Sequence, residues 1–143
     1  MSESLARPER ATHHFRRVAI LFAGGPAPGA NAVISTAATS FMREGTEVIG
    51  MKHGYSSLAD FSPAKPLVEG RDYIKITPDF LKRTRSGQGI MIGTARTNPG
   101  KHVSHPSHLD DAERVQPLKN AYEGLRSLGV EALISIGGDD TLK

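Results

Sequence analysis

Apolar residues run without a polar break from Val18 to Ala23 (VAILFA), then stop at Gly24-Gly25-Pro26-Ala27-Pro28-Gly29. A strand that is apolar at every position predicts burial on both faces, as in the centre of a parallel sheet. From Asn31 the period changes. Val33, Ile34, Ala37, Ala38 and Phe41 recur at helical spacing, which predicts a helix to about Arg43 with Gly45 as its C-terminal stop. Thr46 to Met51 (TEVIGM) predicts a second strand and completes a β-α-β unit.

Residues 54 to 80 are less regular. Gly54-Tyr55 begins a turn, and Leu67-Val68 and Tyr73 to Ile76 predict short strands. Thr77-Pro78-Asp79 has the form of a helix start, with Thr77 as N-cap and Pro78 in the first turn. In RSGQGIMIGTARTNPG, from Arg85 to Gly100, the glycines and Pro99 forbid a long helix, while Ile90-Met91-Ile92 predicts a crossing strand. Residues 107 to 128 read as helical, with Ser107 and Asp110 as a capping box. Ala112, Val115, Leu118, Tyr122, Leu125 and Leu128 recur at intervals of three and four, and Pro117 is expected to kink or split the stretch. Glu131 to Ile136 predicts the next strand, which runs into Gly137-Gly138-Asp139-Asp140-Thr141. The alternation predicts an α/β fold: an open, mostly parallel sheet with helices on both faces, Rossmann-like, binding ligands at the carboxyl ends of its strands.

Composition narrows this only a little. The 143 residues make one domain or part of one. Residues 1–15 are polar and basic and are expected to form a disordered tail, leaving 16–143 as the domain. The sequence pI of 9.4 is not accompanied by a Lys/Arg run interleaved with aromatics, so no nucleic-acid partner is expected. No apolar stretch approaches the roughly 20 residues of a membrane helix, and the first sixteen residues lack a secretory h-region. The absence of cysteine removes thiolate chemistry and fits a cytoplasmic location. A glycine-carboxylate turn in an α/β sheet normally leads into a further helix and strand, so the stop at Lys143 predicts a fragment or a shortened reading frame.

The two glycine turns carry the candidate chemistry. Gly24 and Gly25, between a buried strand and a helix N-terminus, let backbone approach a phosphate. The loop is neither a Walker A motif nor G-x-G-x-x-G, and by itself serves equally as a structural turn. In GGDDT the carboxylates of Asp139 and Asp140 diverge, so one is free to hold Mg²⁺, which takes one or two protein carboxylates and completes its shell with phosphate oxygens and water. Thr141 adds a hydroxyl; the competing reading is a turn whose Asp caps a helix. Arg96, in GTAR, suits a bidentate phosphate clamp that stabilises charge during phosphoryl transfer, against the plainer reading of a solvated surface charge. His102, His105 and His108 recur every three residues, but Pro106 prevents one helix from aligning them and no metal site is expected there.

Taken together and in order, AGGPAPGAN (Ala23 to Asn31), GTAR (Gly93 to Arg96) and GGDDT (Gly137 to Thr141) resemble the phosphofructokinase family. GYSSL, from Gly54, is similar to that family's tyrosine-containing loop. The resemblance covers about residues 16 to 143, the front part of a full member. It implies that Gly24, Gly25, Tyr55, Arg96, Thr97, Gly138, Asp139, Asp140 and Thr141 line the donor-phosphate site, that Arg96 and Asp140 bear on catalysis, and that Asp139 holds Mg²⁺. Members that use ATP usually carry Gly at the position of Asp140; a carboxylate there fills the space of the nucleotide's α-phosphate and repels it. The resemblance therefore implies pyrophosphate rather than ATP as donor, with the 1-hydroxyl of fructose 6-phosphate as acceptor, a glycolytic reaction. Full-length relatives are usually oligomers, so a homo-oligomer is implied for a full-length form.

The family's catalytic base lies in motifs downstream of GGD, so no residue here is assigned as general base, and the chain alone is expected to show no turnover. Two other readings stand beside this one. The first is an ATP-using kinase of the GGD-loop group, such as NAD or diacylglycerol kinases, against which GGPAPGAN and GTAR argue. The second is a non-catalytic fragment that binds anions or cannot fold alone.

Overall fold

The computed structural model describes residue 9, residues 11–84 and residues 86–142 of the chain. The expected basic tail falls largely on residues 1–8 and 10, outside the described residues. At its end Phe15 packs edge-on against Phe41, with 6.5 Å between ring centroids.

Four strands, β1 (Arg17–Ala23), β2 (Glu47–Met51), β3 (Tyr73–Lys75) and β4 (Ala132–Gly137), form one sheet in the order β3-β2-β1-β4. β1 pairs in parallel with both β2 and β4, whereas β3 is antiparallel to β2. This is the open, mostly parallel sheet that the alternation of elements predicts. Alternate residues of β1 feed two layers. Val18, Ile20 and Phe22 meet Ala30, Ile34 and Ala38 of α1 (Ala30–Arg43) and Leu81 of α3 (Pro78–Thr84). On the opposite face, Ala19, Leu21 and Ala23 meet Leu58 of α2 (Ser56–Ala59) and Ala121 of α4 (Ala112–Ser127). Burial on both faces is why every residue from Val18 to Ala23 is apolar.

Four expectations change in detail. Residues 67–68 and 90–92 are not strands; they are held by turn and side-chain hydrogen bonds rather than a ladder, such as Gly93 N–H to Ile90 O at 2.8 Å, which curls the second segment into a turn. The cap of α4 is Asp111, whose Oδ1 accepts from the Glu113 and Arg114 amides, while Pro106–Asp110 forms a separate 3-10 turn capped by His105. α4 runs uninterrupted past Pro117. Finally, Leu118 and Tyr122 point outward, 37% and 62% exposed, because α4 packs on α2 through Ala121 and Gly124 instead. Thr77 behaves as expected, its Oγ1 accepting from the Phe80 amide at 3.1 Å.

Among the described residues β4 pairs only with β1, and its whole length is half-buried. The free edge offers unpaired backbone groups without a Lys or Pro to guard it, a template for pairing with another chain. Sedimentation velocity is expected to show self-association that grows with concentration. A monomer at every concentration would mean the edge is otherwise protected.

Candidate functional site

The carboxyl ends of β1, β2 and β4 open at one end of the sheet, where ligands of open α/β sheets bind. β1 ends in Gly24, whose φ of +109° is a conformation L side chains rarely adopt. A Cβ there would also lie 3.4 Å from Thr141 Oγ1 and 3.6 Å from Gly138 N, so the two glycine turns face each other directly. Gly25 and Gly138 have open space where a side chain would stand, which leaves their backbone accessible. No side chain caps the start of α1, whose N-cap is Gly29. The Ala30 amide donates to Ala27 O at 3.1 Å, while no side chain caps the amides that follow it in the first turn.

The GGDDT turn is fixed from below. Thr141 is buried, and its hydroxyl lies 3.2 Å from Ala23 O and 3.1 Å from Gly138 O, its one proton shared between these carbonyls. Asp139 and Asp140 begin α5 (Asp139–Leu142) and are exposed, and their carboxylates have no hydrogen-bonded or ion-paired partner among the described residues. Two adjacent carboxylates at the mouth of an anion cradle repel a phosphate unless a cation is shared between them. Hard oxygen donors of this kind suit Mg²⁺. Among the described residues no cluster of three or more His, Cys, Asp or Glu could hold a metal, so such an ion would complete its shell with ligand oxygens and water. Two of the three histidines of the 102–108 stretch bond locally: His105 Nδ1 caps the 3-10 turn, and His108 Nδ1 accepts from the Ser104 amide at 3.3 Å.

The segment from Gly93 to Asn98 joins the three strand ends. Gly24 N–H donates to Ala95 O at 2.9 Å, and Thr94 Oγ1 donates to Gly24 O at 2.6 Å. The Gly24 amide is therefore already engaged, and what Gly24 contributes is close backbone approach. Thr97 Oγ1 lies 3.2 Å from Ser56 Oγ, beyond β2, and Asn98 Nδ2 donates to Asp140 O at 3.0 Å, beyond β4. Arg96 sits in this segment, exposed and without a protein partner among the described residues. Tyr55 does not stand free in the opening: its hydroxyl donates to Ser135 Oγ at 2.8 Å and ties the β2 turn to β4.

The structure thus brings Gly24, Thr97, Gly138, Asp140 and Thr141 into one hydrogen-bonded assembly at the sheet's carboxyl end. Sequence reasoning missed Thr94, Ser56 and Asn98, which tie the assembly. It also missed Asn31, whose side chain donates to Gly89 O at 2.7 Å and accepts from Met91 N at 2.8 Å. Their one sequence signal is a small polar side chain beside a glycine turn, which is common in any loop.

The profile of the family described as Phosphofructokinase matches residues 17–143. The chain belongs to the phosphofructokinase family. The ATP-dependent 6-phosphofructokinase of Aquifex aeolicus is 39% identical over 126 residues, spanning 88% of this chain and 32% of the relative. A pyrophosphate--fructose 6-phosphate 1-phosphotransferase of Thermotoga maritima is 34% identical over 127 residues, spanning 87% of this chain and 25% of the relative. The chain thus spans about a quarter to a third of the length of these curated relatives. The fold matches the phosphofructokinase structure from Saccharomyces cerevisiae with a TM-score of 0.65 over 89% of this chain and 14% of that one, at 24% identity. Both donor types occur among the relatives of this phosphofructokinase-family chain.

Proposed function

We propose that the chain carries the phosphoryl-donor loops of a 6-phosphofructokinase that uses pyrophosphate, with fructose 6-phosphate as acceptor at its 1-hydroxyl. The observation that carries this reading is the junction of Gly24, the Gly93–Asn98 segment and Gly138–Thr141 at one end of the sheet, with the carboxylates of Asp139 and Asp140 exposed beside it. Asp139 would hold Mg²⁺, which supplies charge neutralisation between donor phosphates and the carboxylate. The glycine turns admit the donor's oxygens to the backbone, Thr97 offers a hydroxyl group, Thr141 holds the second turn in place through its buried hydroxyl, and Arg96 meets the phosphoryl group's growing charge. Positioning and electrostatics dominate such a reaction. The general base and the acceptor pocket are assigned to no residue of this chain.

The choice of donor rests on Asp140. A nucleotide continues beyond its β-phosphate to an α-phosphate, whereas pyrophosphate ends there, so a carboxylate at this position repels only the longer donor. Calorimetric titration of the chain with Mg²⁺-pyrophosphate and Mg²⁺-ATP is expected to show tighter binding of pyrophosphate. Asp140→Gly should shift the preference toward ATP by about tenfold, the effect of removing roughly 1.4 kcal/mol of repulsion. Tighter binding of ATP by the unsubstituted chain would overturn the donor assignment, and binding of neither would overturn the site.

A further inference from the structure

His53 has a φ of +58°, and no other described non-glycine residue has a positive φ. It lies two residues past the end of β2 and precedes Gly54, whose φ is +60°. Two successive residues in this region turn the chain sharply, so that Gly54 lies under the end of β1; a Cβ there would stand 3.0 Å from Phe22 O. His is one of the side chains that tolerates the left-handed region, though at an energetic cost, and such residues gather at functional sites.

The turn aims the imidazole at the segment that joins the strand ends. A Cβ on Gly93 would fall 2.6 Å from His53 Nδ1 and 2.9 Å from Cε1, so the ring lies directly on the Gly93 backbone. Gly93 itself has a φ of +71°, and the His53 amide donates to Ile92 O at 3.0 Å. The Gly93–Asn98 segment has no regular secondary structure of its own. It is held by Gly24 and Thr94 on one side, by Ser56 and Asn98 further along, and by His53 where it begins.

We infer that the His53 ring is a positioning element for the Gly93–Thr97 segment, setting where Arg96 and Thr97 stand for the donor phosphate. The inference rests on the proposed donor site for its consequence, while its structural content stands apart from ligand binding. A misplacement of the order of an ångström is enough to weaken phosphate contacts severalfold.

His53→Asn isolates the ring, because Asn also accepts a positive φ and the backbone amide remains. Hydrogen–deuterium exchange of the full chain is the primary measurement. The peptide spanning residues 93–98 should exchange about fivefold faster in the variant, while peptides of β1 and α1 and the melting temperature stay as in the unsubstituted chain. Mg²⁺-pyrophosphate should bind about fivefold more weakly, and in an Arg96→Ala background the His53 substitution should add little, as coupled groups behave. Unchanged exchange over residues 93–98 would overturn the inference whatever the ligand results. Faster exchange with no pyrophosphate binding by the unsubstituted chain would uphold the positioning of the segment and overturn the donor reading instead. Equal effects of His53→Asn with and without Arg96 would also overturn the inference, as the ring would then act independently of Arg96.

Discussion

Gly137→Ala is expected to destabilise the chain by about 3 kcal/mol, near the upper end of the overpacking range. A Cβ at Gly137 would lie 2.3 Å from Ala23 O and 2.9 Å from Thr141 Oγ1, and the closer of these atoms belongs to the backbone of the paired strand β1. A flexible side chain could swing aside, but a carbonyl at the end of β1, a strand paired on both sides, cannot move without its neighbours. The methyl group would also push Thr141 away from the carbonyls that hold the GGDDT turn. With total stabilities of about 5–15 kcal/mol typical of domains, the loss should be plain in a urea denaturation midpoint. Gly138→Ala is the control: its Cβ meets nothing within 4 Å, so its midpoint should stay within about 0.5 kcal/mol of the unsubstituted chain. Equal midpoints for the two variants would show that the β1–β4 approach is looser than these distances.

Asp72→Ala is expected to cost about 2–3 kcal/mol at neutral pH, since it strands several donors at once. The Asp72 carboxylate, in a residue only 7% exposed, accepts from the Val68 amide at 2.8 Å, from Ser57 Oγ at 2.9 Å and from the Arg71 guanidinium at 2.8 Å. The Arg71 hydrogen bonds hold its pKa below the usual carboxylate range; burial opposes them, and the Val68 and Ser57 donors add to the lowering. Because the folded state holds the proton less tightly than the unfolded one, the stabilisation is fully present above the ordinary Asp pKa of about 4 and is lost as pH falls through the lower folded value. Glu47, whose carboxyl is also held low chiefly by Arg17, titrates with the same sign. The unsubstituted chain should therefore lose stability more steeply than Asp72→Asn on acidification below about pH 4. Parallel curves for the two would refute a native-state role for the ionised Asp72.

The elements that were legible in the sequence share one property: their burial is written in side chains that lie close together along the chain. Val18 to Ala23 is buried on both faces, so no residue in it can be polar. The helix after Asn31 turns Ile34 and Ala38 to the core and carries their spacing openly. Turns that demand glycine are legible for a related reason, because Gly24 and Gly45 occupy conformations other side chains avoid. The α4 stripe misled because an apolar residue at the right spacing is necessary for packing but does not choose its neighbour. Small Ala121 and Gly124 admit Leu58 and Phe61, and Leu118 and Tyr122 are left facing out.

The sequence by itself determined the two glycine turns, the carboxylates of the second, and the strands and helices that carry them, because each depends on local conformation or on burial of a continuous face. Only the tertiary structure decided that these turns meet. The contact from Thr141 to Ala23 spans 118 residues, and that from Asn98 to Asp140 spans 42. Their acceptors are backbone carbonyls, which every residue possesses, so no pattern of side chains announces them. The same holds for the segment from Gly93 to Asn98: it has no period to read, and its place across three strand ends is set by partners that are distant in the chain and adjacent only after the sheet has formed.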